Sequence, residues 1–378
     1  LTVKFKREEE IKTVTFKREE IKVPDVPYYG MIDENIGYVK LNSFTNTAST
    51  EVGKALRSLK DSSGMKQLIF DLRGNGGGLL HESVNIVNFF VPKGELIVST
   101  KGRIEEINRE YKTTNSPYDL NMPVVVLIDD YSASASEIVS GSLQDLDRAV
   151  IIGQTSYGKG LVQQTKDIEF GSMVKLTVAK YYTPSGRCIQ KPYDHGSVEY
   201  RREKYERYGS GESFHRDSVK LDTTVKYSTQ IVKRTVYGGG GIMPDVFVPL
   251  DTTGTSEYFS KLIRKGIFSS FALNYVNDNR DELKKKYTTL AKYKKDFKTD
   301  KIVKDLIAKA EKEGVEFDKS GFERAEKTIN IRMKANIAQY LYGPESFYEI
   351  INDLNETLQV ALKVLEEGSE FKILATSK

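Results

Sequence analysis

The stretch from residue 124 to residue 164 constrains the fold of this chain more than any other. Residues 124–128 are a continuous apolar run, largely β-branched, which is typical of a strand buried on both faces of a sheet. A Ser/Ala cluster follows, and apolar residues then recur at helical spacing up to residue 143. A second short strand at residues 149–152 leads into Lys159, which lies between two glycines. This order predicts an α/β sheet that presents side chains at the carboxyl edge of its strands.

Ser134 lies where the first strand turns into the helix, and its local pattern has two interpretations. Ser134 and Glu137 fit a capping box, with the serine as N-cap and the glutamate at the third helical position. Alternatively, Ser134 is a nucleophile at a helix N-terminus, where free backbone N–H groups stabilise an oxyanion. Such a serine needs a base, and Lys159 is a candidate because Ser–Lys pairs are a variant of the serine–histidine chemistry. The chain has three histidines, none in a setting that marks a base: His81, His195 and His215.

The segment that ends at the glycine-flanked Lys159 is similar in sequence to a phosphate-binding loop. That motif needs a serine or threonine directly after the lysine, and then a helix. Here Gly160 follows Lys159, and residues 161–165 have the pattern of a strand. A nucleotide site is therefore not predicted.

Composition narrows the class of protein. A chain of 378 residues indicates two or three domains. Its net charge of +4, from 57 basic and 53 acidic residues, is too balanced to argue for a nucleic-acid partner. The single cysteine, Cys188, excludes both an intramolecular disulfide and a cysteine metal cluster. We therefore expect no metal, no cofactor and no nucleic acid.

Six blocks of the sequence carry a family resemblance. They are Gly37-Tyr38-Val39-Lys40-Leu41, Asp71-Leu72-Arg73-Gly74-Asn75-Gly76-Gly77-Gly78, Ser132-Ala133-Ser134-Ala135-Ser136-Glu137-Ile138, Gly158-Lys159-Gly160-Leu161-Val162-Gln163-Gln164, Tyr181-Tyr182-Thr183-Pro184-Ser185-Gly186-Arg187 and Gly241-Ile242-Met243-Pro244-Asp245. In this order they resemble the carboxyl-terminal processing peptidases, also called tail-specific proteases, of the bacterial serine–lysine dyad type. The resemblance implies an α/β fold with an enoyl-hydratase-like (ClpP/crotonase-like) core, a partial PDZ remnant and an α-helical C-terminal region.

The resemblance also implies roles for single residues. Ser134 would be the nucleophile and Lys159 the general base, with Gln163 helping to orient the lysine. The backbone N–H groups of Gly76 and Ala135 would form the oxyanion hole.

Asp145 matches an acidic position of the family. A supporting role in the site is one interpretation of it, and a plain carboxylate at the end of a helix is the one that we favour.

The pattern along the chain divides it into three regions. A near-repeat in residues 1–23 alternates apolar and charged residues and predicts a hairpin. By resemblance this hairpin is the end of a truncated PDZ domain, and a hairpin native to the core is the alternative. Residues 24–250 are expected to be the protease core, in which strands are predicted at residues 161–168, 174–182 and 187–190. Residues 251–378 are predicted to be helical and are expected to support a homodimer.

Residues 191–236 depart from the spacing of the family. They are polar and rich in tyrosine, which favours a solvated surface excursion. The alternative is a lid or a partner surface near the active site.

These observations predict a serine endopeptidase that cleaves proteins near their C-termini. By resemblance its substrates are protein or peptide tails, its location is extracytoplasmic (periplasm or cell envelope), and its full-length form has a membrane-associated context. Two alternatives stay open: a thioester-type enzyme on the same fold, which would want a carboxylate base, and a non-catalytic scaffold.

Overall fold

The computed structural model of the protein describes residues 1–7, 9–21, 23–192, 196–219 and 225–371, so His195 lies outside the described residues. The strands, in chain order, are β1 (Thr2–Arg7), β2 (Glu10–Thr15), β3 (Tyr28–Met31), β4 (Ile36–Lys40), β5 (Gln67–Asp71), β6 (Leu96–Gly102), β7 (Arg109–Lys112), β8 (Val124–Ile128), β9 (Val150–Gly153), β10 (Leu161–Asp167), β11 (Met173–Tyr182), β12 (Lys226–Ser228), β13 (Thr235–Tyr237) and β14 (Val246–Phe247). The helices are α1 (Ala48–Arg57), α2 (Leu80–Val87), α3 (Ala135–Asp145), α4 (Gly196–Gly209), α5 (Glu257–Arg264), α6 (Ile267–Lys286), α7 (Leu290–Asp296), α8 (Asp300–Lys312), α9 (Lys319–Tyr342), α10 (Glu345–Ile351) and α11 (Glu356–Glu367). Within the described ranges, no helix combines the length and the apolar character that crossing a bilayer requires.

The centre of the fold is a six-stranded sheet in the order β14-β9-β8-β5-β4-β3. Its neighbouring strands run parallel except for β3, which pairs antiparallel with β4. Helices follow β4, β5 and β8 in the chain, as parallel strands require a crossover connection. The predicted α/β architecture is therefore confirmed.

Strand β8 shows why the central run of the sequence is apolar throughout. Val124, Val126 and Ile128 belong to the core that α1, α2 and α3 cover. Val125 and Leu127 point to the opposite face, where α11 covers the sheet. Successive side chains of a strand alternate between faces, so a strand covered on both sides has apolar residues at every position.

A second sheet has the order β10-β11-β6-β7, and all its pairs are antiparallel. Strand β10 begins directly after the glycine-flanked lysine and forms an edge of this sheet. The predicted strand at residues 187–190 is wrong, because Cys188 makes only an isolated bridge with Tyr182. Arg187 instead turns into the core, where its guanidinium lies 2.8 Å from Asp145 Oδ1.

The N-terminal strands β1 and β2 pair antiparallel, with Val3 opposite Val14. The hairpin predicted in residues 1–23 is thus confirmed. Almost all of its side chains are exposed. Its origin in a PDZ domain stays a prediction.

The C-terminal helices form a core of their own. Helix α9 is the longest and contacts α5, α6, α8 and α10. Its buried positions include Ala325, Ile329 and Met333, which recur at helical spacing on one face. The prediction of a helical C-terminal region is confirmed.

Candidate active site

Ser134 immediately precedes α3 and has a strained backbone. Its φ of 57° and ψ of −112° are unusual for a residue that is not glycine. The turn before it is fixed by Asp129, whose Oδ1 accepts the N–H groups of Tyr131 and Ser132, each at 3.0 Å. Strain of this kind persists only where the surroundings over-determine it, and it clusters at functional sites.

The hydroxyl groups of the three neighbouring serines differ in their partners. Ser132 Oγ donates to the carbonyl of Leu72 at 2.9 Å, and Ser136 Oγ donates to the carbonyl of Asn75 at 2.9 Å. Among the described residues, the Ser134 hydroxyl donates to no backbone carbonyl, and it forms a hydrogen bond with the Tyr181 side chain. Of the three serines, Ser134 is therefore the one whose hydroxyl is not tied to a backbone carbonyl.

Glu137 connects the Ser134 turn to the lysine loop. Its Oε2 accepts the backbone N–H of Ser134 and that of Lys159, each at 2.8 Å. Its Oε1 accepts the hydroxyl of Ser156 and the N–H of Gly158, each at 2.6 Å. Sequence reasoning found the capping arrangement of Glu137 with Ser134 but missed this second contact, which joins segments far apart in the chain.

Glu137 is fully buried. Burial raises its pKa above the ordinary value, while the bonds from Ser156, Gly158, Ser134 and Lys159 act in the opposite direction. A buried carboxylate is costly unless its oxygens are satisfied by hydrogen bonds. Four donors from two chain segments meet that requirement here.

Lys159 is half-buried in the loop between β9 and β10. Among the described residues, its ammonium group makes no hydrogen bond and no ion pair. Gln163 lies on β10, just beyond a bulge at Val162, and its side chain is exposed. In the described part of the chain, the side-chain amide of Gln163 makes no hydrogen bond to Lys159, so its orienting role stays a prediction.

The glycine loop after β5 packs directly on the Ser134 turn. A Cβ added to Gly77 would lie 2.8 Å from Ser134 Cβ and 2.9 Å from the nitrogen of Ala135. The same atom on Gly76 would meet nothing within 4 Å. Asn75 holds the loop in place, since its carbonyl accepts the N–H of Ala133 at 3.0 Å.

The N–H groups predicted for the oxyanion hole are open in this arrangement. In the described part of the chain, neither Gly76 nor Ala135 donates its N–H to a backbone carbonyl, whereas the Gly77 N–H is bound to Asn75 Oδ1 at 2.9 Å. Ala135 is also the first residue of α3, where N–H groups have no partner within the helix. The geometry suits the predicted pair, which stays a prediction.

Tyr181 on β11 is a neighbour of Ser134 to which the sequence assigned no role. Burial raises the pKa of the Tyr181 hydroxyl, and a hydrogen bond with the Ser134 side chain lowers it. The Tyr181 N–H donates to the carbonyl of Gly160 at 2.8 Å, so the same residue touches the lysine loop. The sequence signal that could have pointed to Tyr181 is its place in the Tyr-Tyr-Thr-Pro block.

Asp145 lies at the far end of α3 from Ser134 and is fully buried. Besides its ion pair with Arg187, its Oδ2 accepts the N–H of Ser185 at 3.0 Å. It is therefore no plain, solvated carboxylate at a helix end. Its contacts hold the Pro-Ser-Gly-Arg turn against α3 and do not reach Ser134.

Among the described residues, no cluster of histidine, cysteine and carboxylate side chains could hold a metal ion. A cavity of ≈ 920 Å³ lies at the carboxyl ends of β4, β5 and β8 and is walled by Lys40, Asp71, Asp129 and residues 351–357. Neither Ser134 nor Lys159 lines this cavity.

Comparison with known proteins finds a family match for part of the chain. The model of peptidase family S41 matches residues 35–196, a range that contains Ser134, Lys159 and the glycine loop. The chain carries a peptidase family S41 domain. A family of unknown function, DUF8443, matches residues 258–343 in the helical region.

Relatives of this S41 domain are named as processing proteases. The chain is 38% identical over 178 residues to the carboxy-terminal processing protease CtpA of Bacillus subtilis (strain 168), covering 47% of this chain and 37% of the relative. It is 37% identical over 195 residues to the carboxyl-terminal-processing protease of Picosynechococcus sp., covering 50% of this chain and 46% of the relative. The chain thus spans less than half the length of these relatives.

Among solved structures, the chain is similar to one titled photosystem II D1 C-terminal processing protease. It is 25% identical, with a TM-score of 0.42, and the match covers 63% of this chain and 52% of that one.

Proposed function

We propose that the chain is a serine endopeptidase that cleaves proteins near their C-termini through Ser134 and Lys159. One observation carries the proposal: a single carboxylate oxygen, Glu137 Oε2, binds the backbone N–H groups of both residues. This shared contact holds the two chain segments side by side. The S41 family supplies the expectation of serine chemistry.

The reaction follows from the groups at the site. Ser134 Oγ attacks the scissile carbonyl carbon while its proton passes to the neutral amine of Lys159. The N–H groups of Gly76 and Ala135 stabilise the oxyanion of the tetrahedral intermediate. The C–N bond then breaks, and the Lys159 ammonium protonates the leaving amine. Gln163 orients the lysine in this scheme.

The acyl-enzyme is resolved by water. Lys159 takes a proton from the attacking water, the ester bond to Ser134 Oγ breaks, and the serine recovers its proton from the lysine. The products are two shorter polypeptides, and no metal or cofactor enters the balance.

The thioester-type alternative is less well supported. It would require a free carboxylate base, and the carboxylate that contacts both Ser134 and Lys159 is Glu137. Both of its oxygens already accept two hydrogen bonds each, and the group is fully buried. A non-catalytic scaffold would have no use for the strained backbone at Ser134.

Incubation with an unfolded protein tests the proposal. We expect the parent chain to release fragments that mass spectrometry detects, and Ser134→Ala to release none. The matched control is Ser140→Ala. Ser140 lies further along α3, and its buried hydroxyl donates to the carbonyl of Ser136. Equal cleavage by the parent and by Ser134→Ala would refute the assignment.

We extend the proposal to the setting of the protein. Its substrates are protein or peptide tails, and it acts outside the cytoplasm, in the periplasm or cell envelope. Dimerisation through the C-terminal helices is part of the same proposal. Sedimentation of the purified chain at several concentrations tests for the dimer, and a monomer throughout would refute it.

A further inference from the structure

Helix α4 belongs to the 191–236 segment and lies against the loop that carries Lys159. The guanidinium of Arg207 donates from Nη1 to the carbonyl of Ser156 at 2.9 Å and from Nη2 to the carbonyl of Gly240 at 3.1 Å. Glu212 balances its charge, with 3.6 Å between Oε2 and Nε. Only 14% of the Arg207 side chain is exposed. The interpretation of the segment as a solvated excursion therefore does not hold for Arg207, although exposed residues such as Arg202 and Glu206 lie on the same helix.

A second contact joins α4 to the same loop through aromatic rings. The Lys191 ammonium lies 4.8 Å from the ring centre of Tyr157 and 4.3 Å from that of Tyr200, which is on α4. The rings of Tyr157 and Tyr200 meet edge to face at 6.2 Å. The Lys191 N–H also donates to the carbonyl of Gly158 at 3.1 Å. Cation–π and aromatic contacts of this kind are stronger when they are shielded from water, and Lys191 is 1% exposed.

These contacts fall on consecutive residues just before Lys159. Arg207 binds Ser156, Tyr200 packs on Tyr157, and the Tyr200 hydroxyl lies 3.5 Å from the carbonyl of Gly158. Glycines flank the lysine, and glycine has the greatest backbone freedom to lose when a loop becomes ordered. The loop thus needs external contacts to stay in one position.

The position of the Lys159 amine depends on that loop. Among the described residues, its ammonium makes no hydrogen bond or ion pair that could hold it directly. Its backbone is held on one side by Glu137. Helix α4 adds a second contact through Ser156, whose carbonyl accepts from Arg207 and whose hydroxyl donates to Glu137.

We propose that α4 is a positioning element of the catalytic site, in which Arg207 and Tyr200 fix the 156–158 loop so that Lys159 stays opposite Ser134. The proposal rests on the proposed function. It assigns the segment that departs from the family spacing an indirect part in catalysis, because both side chains act through the loop and not on the substrate.

Kinetics of Arg207→Ala on an unfolded protein substrate test this role. Misplacement of a reacting group by about 1 Å can cost about 10²-fold in rate, so we expect a loss of that order in kcat. KM should change little, because the lysine acts in the transition state and not in substrate binding. Arg207→Lys should recover part of the loss, since a lysine can reach one of the two carbonyls. The matched control is Arg202→Ala on the same helix, where the arginine is 68% exposed and pairs with Glu206.

The rescue by Arg207→Lys and the split between kcat and KM separate positioning from a general loss of folded protein. We normalise kcat to the folded fraction, which the amplitude of the unfolding transition gives, so that unfolded protein does not count as lost activity. A parent-like kcat in folded Arg207→Ala would overturn the proposal.

Two further measurements decide the remaining outcomes. If Arg207→Ala shows no cooperative melting, Tyr200→Phe takes its place, since it removes only the hydroxyl near Gly158. A folded Tyr200→Phe with unchanged kcat would count against the positioning role, and a reduced kcat would support it. If the parent shows no cleavage that Ser134→Ala abolishes, the proposed function itself fails. If cleavage depends on Ser134 but Arg207→Ala matches Arg202→Ala, the positioning role alone fails.

Discussion

Ser134 and Lys159 are joined through one atom, because their backbone N–H groups both donate to Oε2 of Glu137 at 2.8 Å. The two residues belong to different connections, Ser134 to the one after β8 and Lys159 to the one between β9 and β10. A buried carboxylate between them tolerates little displacement, since each lost donor would leave part of its charge unsatisfied. The relative position of the proposed nucleophile and base is thus a property of the fold.

Replacement of Glu137 by glutamine should disrupt both stability and activity. The amide has one acceptor oxygen, and its NH₂ group would face two of the four donors. Each buried donor left without a partner costs about 1–3 kcal/mol, so we expect a lower urea midpoint for Glu137→Gln. Activity should fall by about 10²-fold in the protein that remains folded, because the lysine loop is released.

The control for this variant is Glu110→Gln on β7, where the glutamate is exposed and pairs with Lys112. It should behave as the parent in both assays. Parent-like activity of Glu137→Gln would show that the shared contact does not position the site.

Two adjacent glycines should respond oppositely to alanine. Gly77 has a φ of 96°, and its new Cβ would lie 2.6 Å from the carbonyl oxygen of Ala133 and 2.8 Å from Ser134 Cβ. Gly77→Ala should therefore displace the turn and abolish cleavage. Gly76→Ala adds its Cβ to open space and keeps the N–H predicted for the oxyanion hole, so it should retain most activity. Fragment release measured for the two variants side by side checks this, and a dead Gly76→Ala beside an active Gly77→Ala would contradict it.

The proposed base gives a prediction that depends on proton release. Lys159→Ala and Lys159→Arg should both lose cleavage, because a guanidinium stays protonated in proteins and cannot accept a proton. Lys166→Arg on the exposed part of β10 is the control, and it should be fully active. The dyad would be ruled out by a Lys159→Arg variant that cleaves the same substrate at the rate of the parent.

Much of the fold is visible in the sequence because its signals are local. The apolar run of β8, the glycine loop and the cap at Ser134 each predict their structure from a few neighbouring residues. The family blocks, in their order, point to the S41 domain that the comparison finds.

The missed features depend on contacts between distant segments. Glu137 satisfies a local capping pattern, and nothing near it in the chain indicates its bonds to the lysine loop. The polar composition of α4 hides Arg207, whose carbonyl partners come from two other loops. The local pattern predicts a strand at Arg187. It does not reveal the ion pair that buries this residue, because the partner Asp145 lies on a different element. Burial of charge is a tertiary property, and periodicity does not report it.

The block that carries the glycine loop begins with a buried ionic cluster around Asp71. Its Oδ2 accepts the Tyr38 hydroxyl at 2.6 Å and an Arg73 N–H at 2.6 Å, and Lys40 Nζ lies 3.3 Å from Oδ1. Burial alone would raise the pKa of Asp71, but Arg73 and Lys40 outweigh it and hold that pKa well below the usual range. Asp71 is therefore ionised in the folded protein, and its partners fix the direction in which the glycine loop leaves β5.

Acidification should remove the stabilisation that ionised Asp71 gives to the fold, and Asp71→Asn should lack this stabilisation at neutral pH. Since the folded-state pKa is below the unfolded value of about 3.9, the ionised carboxylate stabilises the fold above that pH, and the stabilisation is lost as the pH falls through the folded-state pKa. Removing one partner of a buried ion pair costs about 3–5 kcal/mol, so Asp71→Asn should unfold at a lower urea concentration than the parent near neutral pH. The gap between the two proteins should narrow as the pH falls below about 4, because the unfolded parent then binds a proton at Asp71 that the folded parent does not bind. Urea unfolding of the parent, Asp71→Asn and the exposed control Asp278→Asn at neutral and acidic pH checks both parts, and a gap that stays constant with pH would mean that ionised Asp71 does not stabilise the fold.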